Sequence, residues 1–261
     1  MHKHTFAICA YKESEYLEEC IKSLVNQEVS SNIILATSTP NDFIKGLCDK
    51  YGIEMYVNTG DSGITQDWNF AYAQADAEYV TIAHQDDVYA KTYTKHLLEH
   101  LESVKKPVLF FSDYGELRDG KKVFQNKLLK IKRIMLFPLR FKCLWNSKFV
   151  RRRILSLGSP ICCPSATFVK ENCPEVVFHH GFRADEDWEA WEYLSKCKGA
   201  FVYCKKPLVL HRIHEGSETS KILEDNARTE EDYVMFCKFW PKPIAKILTK
   251  IYGTSEKSND L

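Results

Sequence analysis

The sequence predicts an α/β fold: a mostly parallel sheet flanked by helices, with a basic helical insertion and a helical tail. Three observations carry that expectation. Over roughly the first 115 residues, short apolar runs alternate with segments whose apolar side chains recur at helical spacing. Capping and turn residues stand at the joints between them. No stretch approaches the roughly 20 apolar residues that a membrane-spanning helix needs.

The elements follow in order. Residues 5–10 form a continuous apolar run and read as a buried strand. Tyr16, Leu17, Cys20, Ile21, Leu24 and Val25 share one helical face, which predicts an amphipathic helix over 14–26. A strand at 33–36 leads to a helix capped by Asn41 and closed at Gly52. Strands at 54–57, 79–83 and 108–114 alternate with helices at 65–75 and 93–104. Sheets of this kind bind ligands just beyond the carboxyl ends of their strands. The polar residues at those ends are therefore the ones to read for chemistry.

After Gly120 the pattern changes. The net charge of +1 conceals twelve Lys or Arg and no Asp or Glu between 121 and 153, which leaves −11 for the rest of the chain. Leu128, Leu129, Ile131, Ile134, Met135, Leu136 and Phe137 are interleaved with these cations, and Pro138 interrupts the run. Such a block either packs on the core with its charges solvated or lies on an anionic membrane. Its aliphatic content suits lipid better than a nucleic-acid stacking platform. Beyond it come a loop and strand at 158–170, a helix at 187–196, strands at 200–203 and 208–210, a tail that is helical from Glu224 up to Pro241 and Pro243, and a loose end at 255–261. The chain thus divides into an α/β half (1–120), a basic amphipathic insertion (121–157), a second half of the same domain (158–223) and a helical tail (224–261).

Composition sets the class. With 44% hydrophobic and 27% charged residues in 261, the chain is neither disordered nor collagen-like. The apolar run after Met1-His2-Lys3-His4 is too short for a signal peptide, so a cytosolic location is expected, with any membrane contact peripheral. Ten cysteines without a CxxC pair read as scattered reduced thiols.

Four segments carry candidate chemistry. The first strand ends in Ala10-Tyr11-Lys12-Glu13-Ser14, with no GxGxxG turn, and no GxxxxGK[ST] loop occurs anywhere; hydride transfer and P-loop chemistry are disfavoured. His84-Gln85-Asp86-Asp87 sets two adjacent acids after a buried strand, where a divalent cation, a turn or a helix cap would account for them. Asp185, Glu186, Asp187 and Glu189 surround Trp188 at a helix start, either as favourable charge on the helix dipole or as a general base. His211-Arg212-Ile213-His214 places two imidazoles around a guanidinium at a strand end.

Taken in order, these segments resemble family-2 glycosyltransferases of the GT-A fold. Residues 6–27 are similar to that family's opening strand, its Ala-Tyr-Asn-Glu-like turn and its helix ending in Asn-Gln. His84 to Asp87 falls at the Asp-x-Asp motif, with His84 replacing its first acid; Glu186-Asp187-Trp188 matches the Glu-Asp motif, and Arg212-Ile213-His214 the Arg-x-His motif. Asp67-Trp68-Asn69 stands where the family often has Ala-Arg-Asn, and Thr37-Ser38-Thr39-Pro40 replaces its Asp-Asp-Gly-Ser turn.

The resemblance implies an inverting, metal-dependent transfer of a sugar from a nucleoside-diphosphate donor, most commonly a UDP-sugar, in bacterial surface polysaccharide or lipopolysaccharide synthesis. Ala10, Tyr11, Glu13, Ser38, Asp67, Asn69, His84, Gln85 and Asp86 would line the donor site. Asp86, Asp87 and His214 would hold Mg²⁺ or Mn²⁺. Asp187, with Glu186 beside it, would be the catalytic base. The acceptor would be a glycan, in one form linked to a lipid carrier at the inner face of the membrane; no nucleic-acid partner is implied. Two rivals are weaker. A catalytically inactive binding module would not need Asp86, Asp187 and His214, and a nucleotidyltransferase would want a Gly-rich basic loop where only Lys12 stands.

Overall fold

The computed structural model describes residues 2–61, 63–214 and 227–257. The amino-terminal half alternates β1 (His4–Ala10), α1 (Leu17–Val25), β2 (Asn32–Thr37), α2 (Asp42–Tyr51), β3 (Glu54–Val57), α3 (Ile64–Gln74) and β4 (Tyr79–His84). Local signals set the boundaries. The Asn41 side chain accepts the Ile44 N–H at 2.9 Å, and Gly52 closes α2 in the left-handed region at φ 64. β1 pairs in parallel with both β2 and β4, and β2 with β3, so the carboxyl ends of four strands open on one edge.

The chain continues through β5 (Val88–Tyr89), α4 (Tyr93–Glu102), β6 (Pro107–Arg118) and β7 (Lys121–Val123). β6 and β7 form a hairpin around Asp119 and Gly120, both at positive φ (48 and 74), as a two-residue turn requires. The change of pattern at Gly120 therefore marks a hairpin tip, and the basic stretch begins inside the sheet. Its helices are α5 (Lys127–Met135), capped by Asn126, and α6 (Lys148–Leu155), capped by Ser147. The 3-10 turn Phe137–Arg140 lies between them.

β8 (Ala166–Val169) runs antiparallel between β4 and β6 and joins the two halves of one nine-stranded sheet, ordered β3-β2-β1-β4-β8-β6-β9-β5 with β7 on β6. α7 (Glu186–Lys196) precedes β9 (Ala200–Ile213). The sequence predicts two strands where β9 is one. Lys205, Lys206 and Pro207 read as a break, but they stay on the strand, exposed, where its pairing with β6 shifts register opposite Ser112–Tyr114. The tail forms α8 (Ala227–Cys237) and α9 (Lys242–Lys257). Pro243 does not end the helical tail as expected; it stands in the first turn of α9, where its missing N–H costs nothing. The expected loose end at 255–261 is helical through Lys257, and its remainder lies outside the described residues, as do the expected boundary at 223 and the helix onset at Glu224.

One hydrophobic core runs through both halves and the tail, from Phe6 and Leu35 to Phe110, Trp188, Trp191 and Phe236. All ten cysteines are free, and only Cys143 is exposed. No helix among the described residues is long and apolar enough to cross a membrane.

Candidate active site

The first wall of the site is the parallel edge. Ala10 ends β1 in the core, and Tyr11 and Glu13 are exposed beyond it. Tyr11 and Gln85 clamp each other: the Tyr11 N–H donates to Gln85 Oε1 at 3.0 Å, and Gln85 Nε2 donates to the Tyr11 carbonyl at 3.2 Å. Lys12 takes a left-handed φ of 56, which aims its N–H at Thr39 Oγ1, 2.6 Å away. The loops after β1, β2 and β4 are thereby tied into one surface.

Asp67 supplies the acid that the turn after β2 lacks. Its two oxygens accept from Ser38 Oγ and Asn58 Nδ2, both at 2.8 Å, which brings a carboxylate from α3 to the ends of β2 and β3. Asn69 is spent differently. Its amide donates to the Phe178 carbonyl at 2.7 Å and accepts the Val177 and Phe178 N–H groups, so it anchors the loop before α7.

His84 stacks on Trp68, with ring centroids 5.0 Å apart and planes at 19°. Burial lowers its pKa against the pull of Asp87 and Asp86, so the imidazole is neutral at pH 7. Its Nε2 is buried with no hydrogen-bond partner.

The two adjacent acids turn opposite ways. Asp86 is partly open, and its Oδ2 lies 3.0 Å from His214 Nε2, joining the end of β4 to the end of β9. Arg212 reinforces the link: its Nε donates to the Asp86 carbonyl at 2.8 Å, its other arm reaches Glu19, and its guanidinium stacks on Tyr16. Asp87, expected as a metal ligand beside Asp86, instead points into the protein. It is 0% exposed, and its Oδ1 accepts from His211 Nδ1 at 3.0 Å and from the Arg212 N–H at 2.8 Å. Burial opposes its charge, but His211, His84 and the Arg212 N–H together hold its pKa below the usual carboxylate range. The same contact raises His211 against the opposing effect of burial. Asp87 therefore orients the His-Arg-x-His strand end.

Among the described residues, no three or more His, Cys, Asp or Glu side chains gather as a metal cage. Asp86 and His214 offer one carboxylate and one imidazole, both partly open to solvent. One carboxylate and one imidazole are donors that a divalent ion accepts, and they would make up part of its ligand set.

A second group of candidate residues stands at the amino end of α7. Asp185 and Glu186 are buried, and Asp187 is half-buried, the most accessible of the three. Burial raises all of them: Asp185 well up, with Asp232 adding to the effect; Glu186 to about 7; and Asp187 upward against the pull of Lys132. Fully buried Trp188 and Trp191 fix the helix behind them, and the Trp188 Nε1–H donates to the Leu155 carbonyl at 3.0 Å.

Two contributors to this group escape the motif pattern. Glu231, on α8, accepts the consecutive N–H groups of Arg183, Ala184 and Asp185 at 2.8–3.2 Å, so a tail helix pins the turn that presents Asp187. Lys132, on α5, reads in sequence as one cation of the basic block. Its ammonium lies 5.3 Å from the Tyr114 ring centroid, and its charge acts on both Asp187 and His211. Neither position has a sequence signature, because both depend on how distant helices dock.

This sheet, with a donor-type edge and an acidic helix start, is that of a GT-A glycosyltransferase. The chain belongs to glycosyl transferase family 2, whose model matches residues 5–168. Its fold is similar to that of S. aureus TarS 1-349 in complex with UDP-GlcNAc (TM-score 0.64, 17% identity, covering 95% of this chain and 70% of that one). It is also similar to the mannosyltransferase PcManGT from Pyrobaculum calidifontis in complex with GDP-Man and Mn²⁺ (0.62, 13%, 96% and 69%). A third likeness is to glucosyl-3-phosphoglycerate synthase from Mycobacterium tuberculosis with Mn²⁺ and UDP-glucose (0.58, 13%, 91% and 79%). A search of curated proteins returned no match.

Proposed function

We propose that the protein transfers a sugar from a nucleoside-diphosphate donor to an acceptor hydroxyl with inversion at the anomeric carbon. The observation that carries this reading is the 3.0 Å contact between Asp86 and His214, which brings a carboxylate and an imidazole together from strand ends 128 positions apart. Asp86 and His214 would hold Mn²⁺ or Mg²⁺, which supplies positive charge to the donor diphosphate. Tyr11, the Gln85 clamp, Ser38 and Asp67 line the nucleotide side; UDP is the donor nucleotide expected, in keeping with UDP-GlcNAc and UDP-glucose in two of the similar structures.

Asp187 takes the acceptor hydroxyl's proton. The freed oxygen forms a bond to the anomeric carbon as the bond from that carbon to the diphosphate breaks, and the nucleoside diphosphate leaves. A carboxylate whose pKa is raised by burial holds the proton better than an ordinary aspartate. The acceptor we propose is a growing glycan on a lipid carrier, in bacterial surface polysaccharide synthesis, which places the enzyme at the inner face of the membrane.

The test is a thermal-shift screen with a panel of nucleotide sugars, each with Mn²⁺ and with EDTA. A metal-dependent rise in melting temperature with UDP-sugars supports the reading. No stabilisation by any nucleotide sugar in either condition overturns it.

A further inference from the structure

Exposed apolar side chains are not spread evenly over this protein. Seventeen large hydrophobic residues are exposed among the described residues, and nine fall within 131–157 and 244–251. Every one that is more than half exposed belongs to these two segments: Phe149 (74%), Ile134 (72%), Ile251, Ile247, Phe141, Phe137 and Leu157. Scattered single exposures are ordinary, but such a concentration marks a surface that meets something.

The two segments adjoin. The Arg153 guanidinium lies over both Phe149 of α6 and Trp240, just before α9, at 5.9 and 5.0 Å from the ring centroids. The Trp240 Nε1–H donates to the Ser156 carbonyl at 2.7 Å, and Tyr252 of α9 sits so close to Gly158 that a Cβ there would meet its ring at 2.5 Å. Phe137 and Phe141 stack edge to face where the 3-10 turn joins α5 to α6.

The charge along these segments is almost entirely of one sign, and the one acid of α9 is Glu256 in its last turn. Neither 121–153 nor 242–253 contains an acid. Some cations of the basic block are structural: buried Arg151 donates to the last carbonyls around the end of α7, Arg152 pairs with Glu192 and Arg133 with Asp113. Others stay exposed beside the apolar side chains, among them Lys130, Arg140, Lys142, Lys242 and Lys246. On α9, Ile244, Ile247 and Ile251 follow one another at helical spacing.

We infer that the outer face of α5, the Phe137–Arg140 turn, α6 and α9 seats the protein on an anionic lipid bilayer, its apolar side chains entering the headgroup boundary and its lysines and arginines meeting lipid phosphates. Isoleucine and phenylalanine flanked almost wholly by cations are the chemistry of an in-plane interfacial helix. A folded protein partner of ordinary composition would present both signs of charge. At 16 residues α9 is about 24 Å long, short of the roughly 30 Å hydrocarbon thickness, so the attachment is in-plane. The inference deepens the reading above by naming the surface and the lipid class. Because vesicle binding is measured without donor or acceptor, its failure and the failure of sugar transfer are separate results.

The test is co-sedimentation of the full chain with vesicles of phosphatidylcholine alone and with about 30% phosphatidylglycerol, in about 0.1 M and about 1 M salt. The anionic vesicles should retain the protein at low salt and release most of it at high salt, and the neutral ones should bind it at least about tenfold more weakly. Ile247→Glu with Ile251→Glu should lower binding by at least about tenfold, and Lys130→Glu with Lys246→Glu by about fivefold per position. Melting temperature and nucleotide affinity should be unchanged in both. Equal, negligible binding to both vesicle types at low salt overturns the proposal. So does a concentration-dependent dimer that Ile247→Glu dissociates, since a second copy would then be the occupant of this face.

Discussion

Asp86 and Asp187 both stand at the ends of secondary-structure elements, yet the protein surrounds them differently. Asp86 follows a strand, is partly open, and faces an imidazole brought by β9, with Arg212 bracing its backbone. Asp187 opens a helix among other acids, and burial pushes its pKa up although Lys132 pulls the other way. The first environment favours holding a cation, and the second favours receiving a proton. In the proposed mechanism one residue type thus serves two tasks through its neighbours, and exchanging the tasks would require rebuilding both neighbourhoods.

The largest expected effect is at the proposed base. Asp187→Asn should lower kcat by about 10²–10⁴-fold while leaving donor affinity unchanged, measured by initial rates and calorimetry. Because the Asp187 pKa is raised and only its ionised form accepts a proton, wild-type kcat should climb with pH along a limb lying above the ordinary aspartate range. The Asn variant should lose that limb. If Asn at 187 transfers sugar normally, the contrast between the two carboxylates is wrong.

Asp86→Ala should come next, with about 10- to 100-fold weaker nucleotide binding in Mn²⁺ and little change in EDTA, the size expected when a metal site loses a key group. The melting temperature should hold, because Asp86 is not part of the core.

Glu231→Gln sharpens the comparison by loosening the turn without touching either carboxylate. The variant keeps one acceptor oxygen where two serve three N–H groups. We expect a loss of about tenfold in kcat with an unchanged donor KM, since displacements below 1 Å at a reacting group cost on that order. Equal losses in kcat and in donor affinity would assign Glu231 to general stability.

The smallest effect is on folding. Glu186 has its pKa raised from 4.5 to about 7, so the folded state keeps a proton that the unfolded chain releases. Its contribution is fully present below pH 4.5 and is lost as pH rises through about 7. Glu186→Gln should therefore stabilise the protein on the order of 2 kcal/mol at pH 8 and hardly at all at pH 4, read by denaturant unfolding.

The same division governs what the sequence discloses. The amino-terminal half is legible because its signals are local: Asn41 and Gly52 bound α2 where expected, and the run of residues 5–10 is a buried strand. The candidate motifs at His84–Asp87, Asp185–Asp187 and Arg212–His214 are also local patterns, and the fold brings the first and last together. Which way each side chain turns is not local. Asp86 and Asp87 are equivalent as letters, but only the pairing of β5 with β9 decides that Asp87 is enclosed with His211. Lys132 and Glu231 enter the site because α5 and α8 dock there, and Lys205 to Pro207 stay on a strand because β6 runs alongside. Single-residue propensities carry none of that information.

In the mechanism we propose, Asp86 and His214 hold a metal against the donor diphosphate while Asp187 works apart from it. The most direct measurement is calorimetric titration of the wild-type protein and of Asp187→Asn with UDP, in Mn²⁺ and in EDTA. Both proteins should bind UDP equally well in Mn²⁺, and both should lose at least about tenfold in EDTA. Equal UDP affinity with and without the metal, or a loss of Mn²⁺-dependent binding in Asp187→Asn, would contradict it.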